Sequence, residues 1–489
     1  MIRFIPVIHV VALLLGIIAL FMLAPLGIAF FGGDGVSARA FGVTLVVTVV
    51  ACFVLWRITR SQERSQEGNS DLRTREGFLL VTFSWIAASA VGAVPFVLSG
   101  AIPSYTDAFF ETMSGFSTTG ASILTSIESL PKALLFWRSL THWLGGMGIV
   151  VLTVAVLPFL GVGGVHLVRA ESPGPNLDKI APKITQTAKI LWLIYIGLTV
   201  LETALLMFGG MSLFDALTHT FGTLATGGFS PRNASVGAYG SGYIDWVITV
   251  FMVMAGLNFG LYHKLLHGNL RDIAKNTEFK AYLGIFGASV LVIALSLLKV
   301  YGGFGKALRY AGFQAASIIT TTGYATADFD VWPAAAKGVL FFLMFVGGCS
   351  GSTGGGPKVV RIAALFKLAL NEMKYMARPR GMFRVRMNGE PVKKDFLYTV
   401  AGFMLLYFAC LMVVTFVTTI FGADLLTGFS TALVTVGNIG PGFGMVGPTV
   451  NYAFYHPFVK WVLSAAMMAG RLEVYTVLVL LTPSFWSRR

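Results

Sequence analysis

Four short stretches of this sequence end in threonine and glycine, and their repetition is the strongest chemical signal in the chain. Asp107–Gly120 reads DAFFETMSGFSTTG, Asp215–Gly227 reads DALTHTFGTLATG, Asp424–Gly437 reads DLLTGFSTALVTVG, and Lys306–Gly323 closes on SIITTTG. Their final glycines, Gly120, Gly227, Gly323 and Gly437, recur at intervals of about 100 residues, the mark of an internal repeat. A single Thr-Gly would be no more than a helix stop, since glycine commonly follows a helix. Four in register imply a shared task. Glycine adopts backbone angles closed to other residues, so each turn can aim successive carbonyl oxygens at one axis, where a ring of them replaces the hydration shell of a monovalent cation.

Such turns need spans to carry them. Hydrophobic residues make up 55% of the 489 residues and charged ones 12%, against about 25% charged in a soluble domain. Apolar stretches of about 20 residues can cross a hydrocarbon core of roughly 30 Å as helices. They are expected near 4–31, 38–58, 77–99, 133–160, 187–209, 243–263, 280–300, 335–370, 395–421 and 457–482. The segments ending in Thr-Gly are too short to span and too apolar to be solvated, and irregular backbone at membrane depth is tolerated only where it is buried in protein or lines a cavity. The expected fold class is therefore an all-α membrane protein of about ten transmembrane helices. Two N-terminal helices (1–75) precede four pseudo-repeats of helix, pore loop and helix (76–180, 181–275, 276–392 and 393–489) around a central ion pore.

The net charge of +14 gathers in Arg57–Arg75, Arg169–Lys189, Lys264–Lys280, Lys358–Lys394 and Arg488–Arg489. All fall on one side of that topology, which the positive-inside rule assigns with both termini to the cytoplasm. The charge then suits anionic lipid headgroups, not nucleic acid. Met1–Phe31 carries an apolar run longer than a signal-peptide core and reads as an uncleaved span. Cys52, Cys349 and Cys410 show neither metal-ligand spacing nor a paired framework, so neither zinc nor a disulfide is expected. Asp107, Asp215 and Asp424 are expected as N-caps of the pore helices, leaving the partly negative C-terminal ends toward the cavity.

Other residues could control such a path. Six of the ten residues from Gly347 to Gly356 (GGCSGSTGGG) are glycine, so the span over 335–370 should break there. Arg471 lies deep in the last span, where an arginine is costly unless it faces the interior or water. It does not share a helix face with Glu473, and the favoured reading is an electrostatic barrier below the filter. Glu111, His219 and Glu202 suit either proton coupling or supporting hydrogen bonds. A membrane enzyme would need His, Cys or carboxylates converging on a cavity, and the seven histidines form no such cluster in the sequence. A secondary transporter of another solute often shows inverted repeats, whereas these four are parallel. No Walker signature precedes Lys358.

STTG (Ser117–Gly120), ATGGFS (Ala225–Ser230), TTTGYAT (Thr320–Thr326), TVGNIGPGFG (Thr435–Gly444), HWLGGMGIVVL from His142 and GRLEVYTVLVLLTP from Gly470 together resemble the Trk/Ktr/HKT superfamily of potassium transporters. The likeness covers nearly the whole chain. It implies potassium as the transported ion, uptake across the bacterial inner membrane, a homodimer, and a separate cytosolic nucleotide-binding regulatory ring. Channel and ion-coupled symporter are both compatible with it. The filter it implies comprises Thr118, Thr119 and Gly120; Ala225, Thr226 and Gly227; Thr321, Thr322 and Gly323; and Thr435, Val436 and Gly437. The intramembrane gate it implies is Gly347, Gly348, Cys349, Ser350, Gly351, Ser352, Thr353, Gly354, Gly355 and Gly356, with Arg471 assigned beside it. Only TTGYA and TVGNI approach the TVGYG of strict potassium channels, so fewer well-formed ion sites are expected.

Overall fold

The computed structural model describes residues 2–63, 74–148 and 184–487. The chain opens with α1 (Phe4–Phe21), α2 (Leu23–Phe31) and α3 (Gly35–Glu63). A first unit follows: α4 (Thr74–Leu98), the short α5 (Tyr105–Phe116) and α6 (Lys132–Gly146). The second holds α7 (Ile184–Phe208), α8 (Leu213–Leu224) and the pair α9 (Gly242–Ala255) and α10 (Phe259–Leu266). After α11 (Leu270–Lys275) come α12 (Thr277–Tyr301), α13 (Phe304–Ile319), α14 (Ala334–Leu343) and α15 (Val359–Ala377). A hairpin of β1 (Arg386–Met387) and β2 (Glu390–Pro391) leads to α16 (Lys394–Ile420), α17 (Leu425–Val436) and α18 (Pro457–Arg471), with α19 (Tyr475–Leu478) and α20 (Pro483–Trp486) last.

Among the described residues six helices are long and apolar enough to cross a membrane, or eight if each of two bent pairs counts as one span. The span expected over 133–160 begins as α6 and runs into 149–183, outside the described residues. Most of the basic stretches Arg169–Lys189 and Arg57–Arg75, and both terminal arginines, also lie outside the described residues. Two spans expected to be continuous are broken instead: α9 and α10 meet at 96°, and the last span bends by 115° after Arg471. The span over 335–370 is interrupted between Leu343 and Val359, across the glycine-rich run.

Four short helices, α5, α8, α13 and α17, sit inside this frame and are buried along most of their length. Each packs on the spans before and after it, and each also reaches a neighbouring unit. α5 packs on α18, α8 on α6, and α13 on α9. Phe429 of α17 meets the ring of Phe341 on α14 at 6.2 Å. The units thus touch in the order one, two, three, four and back to one. The N-terminal helices lie outside this circuit, with α1 on α3 and α4 and α2 on α6.

The caps of the short helices differ from the sequence expectation at two of three positions. Ser104 and Ser212 are the N-caps of α5 and α8, accepting from the backbone N–H of Asp107 and Asp215 at 3.4 and 3.1 Å. Only Asp424 caps as expected, accepting from Thr427 N at 3.2 Å. Asp107 and Asp215 stand one turn further in, still near the positive helix end. There they pair with Lys460 at 2.6 Å and Arg232 at 3.2 Å.

Candidate functional site

Each short helix ends in a turn of the same backbone shape. One residue just past the helix is left-handed: Thr118 (φ 54°), Thr226 (φ 54°), Thr321 (φ 60°) and Asn438 (φ 54°). Two residues later a glycine is left-handed: Gly120 (φ 79°), Gly228 (φ 82°), Gly323 (φ 81°) and Gly440 (φ 92°). A left-handed β-branched residue is strained, by about 1–3 kcal/mol. Three equivalent threonines held this way show that the surrounding packing dictates the turn.

The four glycines close a ring. A Cβ on Gly120 would lie 2.2 Å from Gly227 O, one on Gly228 2.1 Å from Thr322 O, one on Gly323 2.3 Å from Ile439 O, and one on Gly440 2.6 Å from Thr119 O. The four carbonyls concerned, of Thr119, Gly227, Thr322 and Ile439, each follow a left-handed residue directly. Every loop therefore presents the same carbonyl to the same glycine of its neighbour, and all four stand at one level.

This equivalence corrects the alignment of two loops. In loop 2 the counterparts of Thr118, Thr119 and Gly120 are Thr226, Gly227 and Gly228, so the set Ala225, Thr226 and Gly227 stands one residue early. In loop 4 they are Asn438, Ile439 and Gly440. Thr435 and Val436 are still helical, with Thr435 Oγ1 donating to Thr431 O at 2.6 Å, and Gly437 is the right-handed C-cap (φ −79°). Loops 1 and 3 keep the expected residues at equivalent positions.

Behind the ring lies a shell of buried polar groups. Glu111 on α5 accepts from Ser122 Oγ at 2.9 Å, from Ile123 N at 2.9 Å and from Arg138 Nε at 2.6 Å. Arg138 on α6 also donates to Ser230 O at 3.0 Å and lies 3.5 Å over the Phe229 ring, so one ion pair clamps loops 1 and 2 together. His142 Nδ1 is 2.7 Å from Gly115 O, with its ring against Phe229. His219 Nε2 lies 3.0 Å from Ser230 Oγ, and Tyr324 OH donates to His219 O at 2.9 Å. Glu202 is buried on α7, with Thr223 of α8 beside its carboxylate. Sequence reasoning missed Arg138, although an arginine inside an apolar span is the same signal that singled out Arg471.

The glycine-rich loop packs on the C-terminal ends of α13 and α17. Gly355 N donates to Thr321 Oγ1 at 2.6 Å, and a Cβ on Gly355 would lie 2.5 Å from Gly437 O. On its other side Cys349 N donates to Gly256 O at 2.8 Å, and Phe259 N donates to Gly351 O at 3.0 Å, which ties the loop to the break between α9 and α10. Glu278 at the start of α12 accepts from Ser350 N at 2.6 Å and from Val360 N at 3.2 Å. Arg471 Nη1 donates to Thr353 O at 2.6 Å, while its Nη2 donates to Gly145 O and Gly146 O at 2.8 and 2.9 Å. Glu473 pairs with Arg361 on α15. Glu473 and Val474 are both left-handed, which makes the bend of the last span.

The sequence signature of the TrkH cation transport protein family matches residues 44–488. The Trk system potassium uptake protein TrkH of Salmonella typhimurium (strain LT2) is 41% identical over 483 residues, which are 98% of each chain. The Trk system potassium uptake protein TrkG of Escherichia coli (strain K12) is 32% identical over 483 residues, again 98% of each. The crystal structure of the potassium transporter TrkH from Vibrio parahaemolyticus superposes with a TM-score of 0.87 at 36% identity, covering 99% of this chain and 100% of that one. With four short helices converging on a glycine ring and a glycine-rich loop against it, the chain is a multi-pass membrane protein and belongs to the TrkH cation transport family.

Proposed function

We propose that this chain is the membrane component of a Trk potassium uptake system, passing potassium through the ring of four loops. The observation that carries the reading is the closed circuit of Gly120, Gly228, Gly323 and Gly440 against four equivalent carbonyls. Backbone oxygens of Thr118–Gly120, Thr226–Gly228, Thr321–Gly323 and Asn438–Gly440 would take the place of the ion's water. The units 76–180, 181–275, 276–392 and 393–489 each supply one loop. The loop 347–356 acts as the gate: it lies against the ring on one side and is held by Arg471 on the other. Arg471 places a fixed positive charge beside it, a barrier to cations until the loop moves. The protein works as a homodimer with a cytosolic nucleotide-binding regulatory ring, and both termini face the cytoplasm.

Rubidium uptake tests this. Cells lacking their own potassium uptake and expressing the chain should accumulate rubidium, with excess potassium competing and excess sodium competing far less. Uptake equal to that of empty-vector cells overturns the reading.

A further inference from the structure

Three of the four left-handed positions below the ring glycines carry threonine, and the fourth carries Asn438. Thr226 and Thr321 each donate at 2.6 Å to the carbonyl just before them, and neither hydroxyl bonds a neighbouring filter loop, although Thr321 Oγ1 also accepts from Gly355 N of the glycine-rich loop. Asn438 reaches outward. Its Nδ2 donates to Thr119 Oγ1 of loop 1 at 2.9 Å and to Met467 O of α18 at 2.9 Å. Thr119 Oγ1 in turn lies 2.7 Å from Ser117 Oγ, so the bond continues into the end of α5.

The surroundings leave this side chain nowhere else to go. Asn438 is fully buried. A Cβ on Gly470 would lie 2.9 Å from its Oδ1, and a Cβ on Gly355 of the glycine-rich loop 2.9 Å from its Cβ. Gly470 directly precedes Arg471, whose guanidinium holds Thr353 of that same loop. Side chains cross other seams as well, Tyr324 from loop 3 to loop 2 and Arg138 from α6 to loop 2. At the seam between loops 4 and 1, however, the left-handed residue itself carries the bridging side chain, and that side chain is in contact with the elements that carry the gate.

We propose that Asn438 is a positioning residue for ion discrimination, setting the spacing of loops 4 and 1 by bridging Thr119 to α18. The proposal rests on the potassium reading above. Both N–H groups of the carboxamide are buried and used, so a side chain of the same shape without donors leaves Met467 O without its partner, turns the Thr119 hydroxyl from acceptor to donor, and lets the seam relax. A threonine would not replace it, because in loops 2 and 3 the hydroxyl at this place donates to the preceding carbonyl.

The test is the reversal potential of purified protein in planar bilayers with potassium on one side and sodium on the other. Asn438→Asp and Asn438→Ala should each lower the potassium-over-sodium permeability ratio about tenfold. Thr119→Val should lower it comparably, Thr119→Ser should lower it clearly less than Thr119→Val does, and the double variant Asn438→Ala with Thr119→Val should fall no further than either single change, as expected for two ends of one bond. Variants at Asn438 that assemble and keep the wild-type reversal potential overturn the proposal, as do additive losses. Should the Asn438 variants not assemble, equal ratios for Thr119→Val and Thr119→Ser overturn it alone. A wild-type protein that passes no potassium would instead sink the function on which the proposal rests.

Discussion

The ring and the loop packed against it are both made with glycine, yet they are held in different ways. In the ring each glycine stands where a neighbour's carbonyl already occupies the Cβ position, and the same contact repeats around a closed circuit. The loop 347–356 is pinned by separate hydrogen bonds to Gly256, Phe259, Glu278, Thr321 and Arg471. A closed circuit cannot shift at one point without disturbing all four, which suits it to discrimination. A segment fixed by individual bonds can be released while its surroundings stay packed, which suits it to control.

Damage to the ring's backing should have the largest effect. Glu111→Leu leaves Arg138 as an unpaired buried charge, and breaking such a pair costs about 3–5 kcal/mol. The expected outcome is a clear drop in the thermal midpoint of the detergent-solubilised protein; an unchanged midpoint would mean that the ion pair does not hold loops 1 and 2. Next comes the ring itself. In Gly228→Ala the new Cβ meets Thr322 O at 2.1 Å on a left-handed backbone, and potassium-over-sodium preference should fall about tenfold or more.

Substitution of Arg471 should do the opposite of closing the path. Arg471→Ala removes the bonds to Thr353, Gly145 and Gly146, so rubidium uptake without any regulatory partner should rise about tenfold with selectivity retained. Uptake that stays at the wild-type level removes Arg471 from the gate, and lost selectivity would erase the distinction between ring and loop. The smallest effect is expected at Thr435→Ala. That hydroxyl bonds within its own helix, and the permeability ratio should stay within about twofold of wild type.

Most of the architecture was legible in the sequence because it is written as periodicity: apolar runs of spanning length and a fourfold Thr-Gly repeat. The interruption at Gly347–Gly356 could be read from glycine content alone. The alignment of loops 2 and 4 was not legible in this way. Ala225–Gly228 offers two adjacent glycines, and only the packing of His142 under Gly227 and of Thr322 O against Gly228 decides which one turns. Thr435–Gly437 spells TVG, yet α17 runs through it, and the turn falls at Asn438–Gly440, where no threonine marks it. The bend after Arg471 has no glycine or proline between Leu472 and Tyr475. There it accompanies the pairing of Glu473 with Arg361, a contact 112 residues apart in sequence. The caps were misplaced for a local reason, since Ser-x-x-Asp and a leading Asp are both good helix starts.

The central claim is that discrimination resides in the circuit Gly120, Gly228, Gly323 and Gly440. Its most direct test is the reversal potential of wild type and Gly440→Ala under opposed potassium and sodium gradients. The account predicts a wild-type value close to the potassium equilibrium potential and, in the variant, a shift toward the value of a pore that does not distinguish the two ions. Identical reversal potentials would contradict it.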